Sequence, residues 1–125
     1  MSKIQNVKNY DLEERTYQFA ERCRIFVKKL PKTSGNFEDG KQLIRSSGSQ
    51  AANYIEANES LSKKDFFHRI RICRKEAKES RLWIRLIDVQ EDQELNKEKQ
   101  VLLQEALELT KIFGSIVEKS KSLEF

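Results

Sequence analysis

Glu56, Glu76 and Glu79, with His68, Cys23 and Cys73, are the side chains of this 125-residue sequence best suited to holding a metal or moving a proton. A carboxylate-bridged metal bundle needs inward-facing glutamates combined with Glu-x-x-His pairs, which set two ligands on one helix face. No Glu-x-x-His occurs, and His68 is the sole histidine. A structural zinc site needs four Cys or His ligands, which two cysteines and one histidine cannot supply. Both cysteines occupy apolar positions of helical patterns, where a reduced thiol behaves as a small buried hydrophobe. Neither a glycine-rich phosphate loop nor a nucleophile elbow is present. The residue types thus point away from catalysis, metal and cofactor.

The other chemistry in the sequence is that of cations able to hold phosphate. The net charge is +4, yet residues 63 to 88 carry nine Lys or Arg against Asp65, Glu76, Glu79 and Asp88, a local +5 that leaves −1 elsewhere. Arg71, Lys75, Lys78, Arg81 and Arg85 are the main candidates for phosphate contacts, with Lys64 beside them. Arg22, Lys28 and Lys29 form a second concentration near the N-terminus, with Arg15 and Arg24. Such side chains supply affinity for RNA or DNA when they converge on one surface and neutralise several backbone phosphates. The alternative is a solvated face with ion pairs at four-residue spacing, such as Lys75 with Glu79, each contributing a few tenths of a kcal/mol.

Helices must position these residues. Only four Gly and one Pro interrupt a chain that is 35% charged, a composition that favours long helices over sheets. Asp11-Leu12-Glu13-Glu14 reads as a capping box opening a first helix over about 11–30, with Leu12, Phe19, Cys23, Phe26 and Leu30 inward and Pro31 as its stop. After the turn-like Lys32-Thr33-Ser34-Gly35-Asn36, a second helix over about 37–60 is a weak former, because Gly40, Gly48 and several serines lower its propensity. Its small residues Ser46, Ser47, Gly48, Ser49, Ala51 and Ala52 let a neighbouring helix approach closely; a loop through 46–49 is the competing reading.

Ser62-Lys63-Lys64-Asp65 opens the clearest helix, over about 63–89. Phe66, Ile70, Cys73, Ala77, Ser80, Ile84 and Ile87 follow in four-three alternation, which is a bundle-facing seam. A fourth helix over about 95–120 carries Leu95, Leu102, Ala106, Leu109, Phe113 and Ile116. One domain over 1–125 follows, an all-α antiparallel up-down four-helix bundle. Phe67, Ile72, Leu82, Trp83 and Leu86 on helix three, with Tyr10, Tyr17 and Ile25 on helix one, fall outside the seam. A second apolar surface predicts burial against another copy of the chain, since large exposed apolar patches are uncommon on monomers; a wide intrachain core with Trp83 capping one edge is the competing reading. Apolar runs as short as Val101-Leu102-Leu103 cannot cross a bilayer, and the N-terminus lacks a signal-peptide core, so a cytoplasmic protein without membrane contact is expected.

The segment from Leu43 through Ser46-Ser47-Gly48-Ser49-Gln50-Ala51-Ala52-Asn53-Tyr54-Ile55-Glu56 to Ala57, followed by Ser62-Lys63-Lys64-Asp65-Phe66, resembles a family signature. So does Lys75-Glu76-Ala77-Lys78-Glu79-Ser80 with Trp83-Ile84. Together they resemble the bacterial four-helix bundle proteins encoded within intervening sequences of 23S ribosomal RNA genes. The resemblance runs over most of the chain and is strongest from about 42 to 87. It implies an up-down bundle that assembles into a ring, typically a homopentamer, with a basic surface that binds nucleic acid. A related branch, the accessory proteins of diversity-generating retroelements, forms similar barrels and works with a reverse transcriptase and RNA. It implies an adaptor role as the alternative, with a reverse transcriptase as partner. The motif's polar positions fall on Asn53, Glu56, Glu76 and Glu79, with Trp83 beyond, and their implied roles are structural. A partly buried glutamate must be paired, so Glu56, Glu76 or Glu79 is expected to meet an arginine such as Arg45, Arg69 or Arg74.

Overall fold

The structure, a computed structural model, describes the backbone of residues 2–123 and the side chains of residues 12–121. Four helices follow in order: α1 (Ser2–Lys28), α2 (Ser34–Asn58), α3 (Lys63–Leu86) and α4 (Gln93–Leu123). No strand occurs among the described residues. The number and order of elements match the expectation, and the boundaries differ where caps decide them. Asp11 does not start α1, because the helix already runs from Ser2 through a stretch without Gly or Pro to break it. α2 starts at Ser34, not near 37, because Thr33 is its N-cap and accepts a hydrogen bond from the Asn36 amide. Residues 46–49 are helical, not a loop.

Asn36 secures that corner. Buried at the start of α2, it donates through Nδ2 to the carbonyls of Pro31 (3.0 Å) and Asp88 (2.8 Å), while its Oδ1 accepts from the Asp88 amide (2.9 Å). Ser62 caps α3 as its sequence predicts, accepting from the Asp65 amide. α3 ends at Leu86, short of 89, where Lys99 Nζ donates to the carbonyls of Ile87 (2.7 Å) and Arg85 (3.3 Å) and so covers acceptors the helix end leaves free.

One apolar cluster draws on all four helices: Phe19, Cys23 and Phe26 from α1, Leu43 and Tyr54 from α2, Ile70, Cys73, Ala77 and Ile84 from α3, and Leu102, Ala106, Leu109 and Phe113 from α4. The four-three seam of α3 is buried from Ile70 to Ile87, with Phe66 half-buried at its open end. Both cysteines are free and buried, and burial pushes each thiol up to about 12. α1 packs on α2 and α4, α3 packs on the same two, and among the described residues α1 and α3 do not come into close contact. They stand at opposite corners, so their outward faces look in different directions.

Candidate nucleic-acid interface

Three of the signature residues, Asn53, Glu76 and Glu79, come together on the α2–α3 seam. Arg45 reaches from α2 and donates through Nη1 and Nη2 to the two carboxylate oxygens of Glu76, each at 3.3 Å, and through Nη2 to Glu79 at 3.2 Å. Ser49 Oγ donates to Glu76 Oε2 at 2.9 Å. Glu76 is only 6% exposed, so these bonds replace the water its charge gives up. One turn on, Asn53 Nδ2 donates to the Ser49 carbonyl (2.9 Å), and Asn53 Oδ1 accepts from Arg69 (3.0 Å). Deeper in the seam the Ser46 and Ser80 hydroxyls share a hydrogen bond of 2.8 Å. As α2 is followed forward, its partners step backward from Asp88, just past α3, to Ser80, Glu76 and Arg69 along it. The expected pairing of Glu76 and Glu79 with Arg45 is present; Glu56 is exposed, and Arg69 serves Asn53 instead.

Since Glu76 and Glu79 are committed to Arg45, the opposite face of α3 is left basic. Arg71, Arg74, Lys78, Arg81 and Arg85 recur at alternating intervals of three and four residues, which places them in one stripe, with Lys75 alongside. Arg71, Lys75, Lys78 and Arg85 are exposed, and Arg74 and Arg81 are half-buried. The stripe borders α4: Arg71 Nη2 donates to Ser120 Oγ at 3.1 Å, and Lys78, Arg81 and Arg85 line a shallow groove with Leu82, Leu107 and Thr110. Among the described residues no carboxylate lies within ion-pair distance of any of these cations. The alternative pair of Lys75 with Glu79 is not formed. From Arg71 to Arg85 the stripe extends about 21 Å along the helix axis.

The cations of α1 behave differently. Arg15, and Lys29 just past the helix end, face α4. Arg15 makes a two-pronged contact with Glu105 (2.7 and 2.8 Å) and a third bond to Glu108 (2.8 Å), while Lys29 meets Glu98 at 3.1 Å. The Glu105 and Glu108 carboxylates hold the Arg15 guanidinium well above its ordinary value. Glu108 lies below the usual carboxylate range, through hydrogen bonds from Gln104 first and Arg15 second. Arg22 and Lys28 are exposed. The structure therefore does not bring Arg22, Lys28 and Lys29 onto the surface that carries Arg71 to Arg85, because α1 and α3 occupy opposite corners.

Of the apolar residues outside the seam, Tyr17, Ile25, Leu82 and Leu86 are exposed, joined by Phe37, Ile55, Leu61 and Val101. Phe67, Ile72 and Trp83 are half-buried against the bundle, which a wide intrachain core accommodates. Tyr10 lies outside the residues whose side chains are described. Among the described residues no group of three or more His, Cys, Asp or Glu side chains is placed to hold a metal. Sequence reasoning missed Asn36 and the pairing of Arg15 with Glu105. Asn36 carried a signal, an Asn three residues after a Ser/Thr cap, whereas a pair separated by 90 positions shows itself only in three dimensions.

A family model described as 23S rRNA-intervening sequence protein matches residues 8–115. No curated protein matches the chain. Among solved structures, the chain is similar to a protein of unknown function from the S23 ribosomal protein family of Bacteroides thetaiotaomicron. The two are 25% identical, the match covers 85% of this chain and 97% of the other, and the TM-score is 0.68.

Proposed function

The chain belongs to the family of 23S rRNA-intervening sequence proteins, and from that premise we propose that it is a non-enzymatic, homo-oligomeric RNA-binding protein. The observation that carries this reading is the outward stripe of α3, where Arg71, Lys75, Lys78, Arg81 and Arg85 lack acidic partners among the described residues. Unpaired cations along about 21 Å of helix match the repeated charge of a nucleic-acid backbone and read no sequence. Arg22 and Lys28 belong to a different face and are secondary.

The same reading takes the fold as an antiparallel up-down bundle, supported by the opposed order of the α2–α3 and α1–α4 contacts. It takes the assembly as a ring, a homopentamer by family resemblance. Exposed Tyr17 and Ile55, which line one hollow between α1 and α2, support it as an apolar surface left for another copy of the chain. Its setting is the cytoplasm, and DNA or a reverse transcriptase are further partners within this reading.

Light-scattering mass of the purified protein, followed by titration with RNA at two salt concentrations, tests it. The expected result is a pentamer-sized particle that binds with steep salt dependence. Replacing Arg71, Lys75 and Lys78 with Ala lowers the salt slope by about one for each phosphate that is no longer neutralised. A ring that ignores RNA would favour the adaptor role, and a monomer would remove the assembly.

A further inference from the structure

An open groove lies away from the α3 stripe, where the end of α1 meets the start of α2. Its floor is apolar, formed by Val27, Leu30, Pro31 and Ile44, and it encloses about 710 Å³, within the range of small-molecule sites. α2 comes close to α1 at this point, since a Cβ on Gly40 would lie 2.9 Å from Val27 Cγ1. Phe37 stands on the rim with 66% of its surface exposed. It contributes little to the core, and most of its surface is open to solvent next to an apolar floor.

Charge decides what suits such a groove. Lys28, Lys32 and Lys41 border it, all exposed. Glu38 is the one acid among its lining residues, and its carboxylate stands 3.9 Å from Lys41. Lys41 Nζ lies 5.1 Å from the centre of the Phe37 ring. An aromatic ring, an apolar floor and a surplus of ammonium groups are the elements with which proteins hold single-stranded nucleic acid, stacking bases on the ring and pairing phosphates with the cations. A neutral apolar peptide would use the floor and gain nothing from the lysines.

We propose that this groove is a second nucleic-acid contact that takes an unpaired nucleotide, its base stacked on Phe37 and its phosphate held by Lys28, Lys32 and Lys41. The inference rests on the RNA reading for the class of its ligand, and not on the α3 stripe. It divides the labour between two faces of the chain: the stripe holds backbone, and the groove recognises an unpaired base. Stacking is tolerant of base identity, so the groove selects strandedness rather than sequence.

The test titrates the full chain with a short fluorescein-labelled oligouridine and, separately, with a blunt RNA duplex. Phe37→Leu is expected to weaken oligouridine binding about tenfold, as loss of one stacked base does, to leave duplex binding unchanged, and to be rescued by Phe37→Trp. Ultraviolet cross-linking should join uridine to a peptide containing Phe37. The groove is overturned if wild type fails to bind oligouridine, or if Phe37→Leu binds it as tightly as wild type does with its helix content intact. The two sites are separable. If the variant lacking the Arg71, Lys75 and Lys78 charges keeps full duplex affinity while Phe37→Leu still weakens oligouridine, the α3 reading falls and the groove stands. The reverse pattern removes the groove alone.

Discussion

Helix α3 carries two polar faces built from similar residues in opposite circumstances. Towards α2, Glu76, Glu79 and Arg69 each have a partner at 3.0 to 3.3 Å. On the outward face, the exposed Arg71, Lys75, Lys78 and Arg85 have no acidic partner among the described residues. Buried charge is tolerated only when compensated, because an unpaired buried ion costs several kcal/mol; exposed charge needs no partner, since water screens it. The inner face therefore sets how α2 and α3 register, and the outer face is free to meet something else.

Removing Glu76 should produce the largest effect and is the sharpest way to break this contrast. Glu76→Ala takes the acceptor of the Ser49 hydroxyl, whose Oγ keeps only the bond it accepts from Asn53, and removes two hydrogen bonds from Arg45. The usual cost of breaking a buried pair is roughly 3–5 kcal/mol. Arg45 is itself half-exposed and can turn to water or to Glu79, so about 2 kcal/mol is expected from urea unfolding. Glu76→Gln, which keeps an acceptor for Ser49, should lose about half of that. No change in either variant would mean that the signature glutamate is not a structural residue.

The α1–α4 seam extends the comparison to paired charges on another helix. Arg15→Gln should cost about 1 kcal/mol at pH 7, because a two-pronged, partly buried contact is stronger than a surface pair. The sign with pH follows from Glu108. Its folded value is depressed, so its contribution is present above the unfolded value of 4.5 and is lost as pH falls through the lower folded value. The stability difference between wild type and Arg15→Gln should therefore shrink as pH is lowered below about 4. A difference that persisted unchanged at low pH would assign the effect of Arg15 to packing of its stem.

A neutral pair inside the α2–α3 seam gives a smaller effect. Ser80→Ala removes the partner of the buried Ser46 hydroxyl, which keeps only a long contact of 3.4 Å to the Leu43 carbonyl, at a cost of about 1 kcal/mol. Replacing both serines with Ala should cost less than two single losses, since no polar group is then left unpaired. Additive losses would show that the pair is not coupled.

What could be read in advance follows the same division. The inward positions from Phe66 to Ile87 were legible because four-three alternation is a local property of one helix. The small residues from Ser46 to Ala52 announced a close approach for the same reason, and the structure places Ser46 and Ser49 against α3. The difference between Arg15 and Arg71 was not legible. Both are arginines on amphipathic helices, and only the register of α1 against α4 gives Arg15 its glutamates. Nor could spacing show that α1 and α3 would stand at opposite corners and split one supposed basic surface into two. Local pattern gives the faces of a helix; pairing decides which charges remain available.

The smallest effect on stability belongs to the outward face, and it bears most directly on function. Arg71→Gln, Lys75→Gln and Lys78→Gln together should change unfolding free energy by no more than about 0.5 kcal/mol, the usual range for surface substitutions without a partner. Relief of repulsion among crowded cations offsets loss of the Arg71 hydrogen bond to Ser120. The same triple substitution should make the slope of log affinity against log salt shallower by about three, one for each cation removed. Measuring both on one sample separates the two kinds of charge. A destabilised triple variant would place these cations in the fold after all, like those facing α2. A stable variant with impaired binding would make the outward stripe a surface whose charge the fold does not need and a polyanion uses.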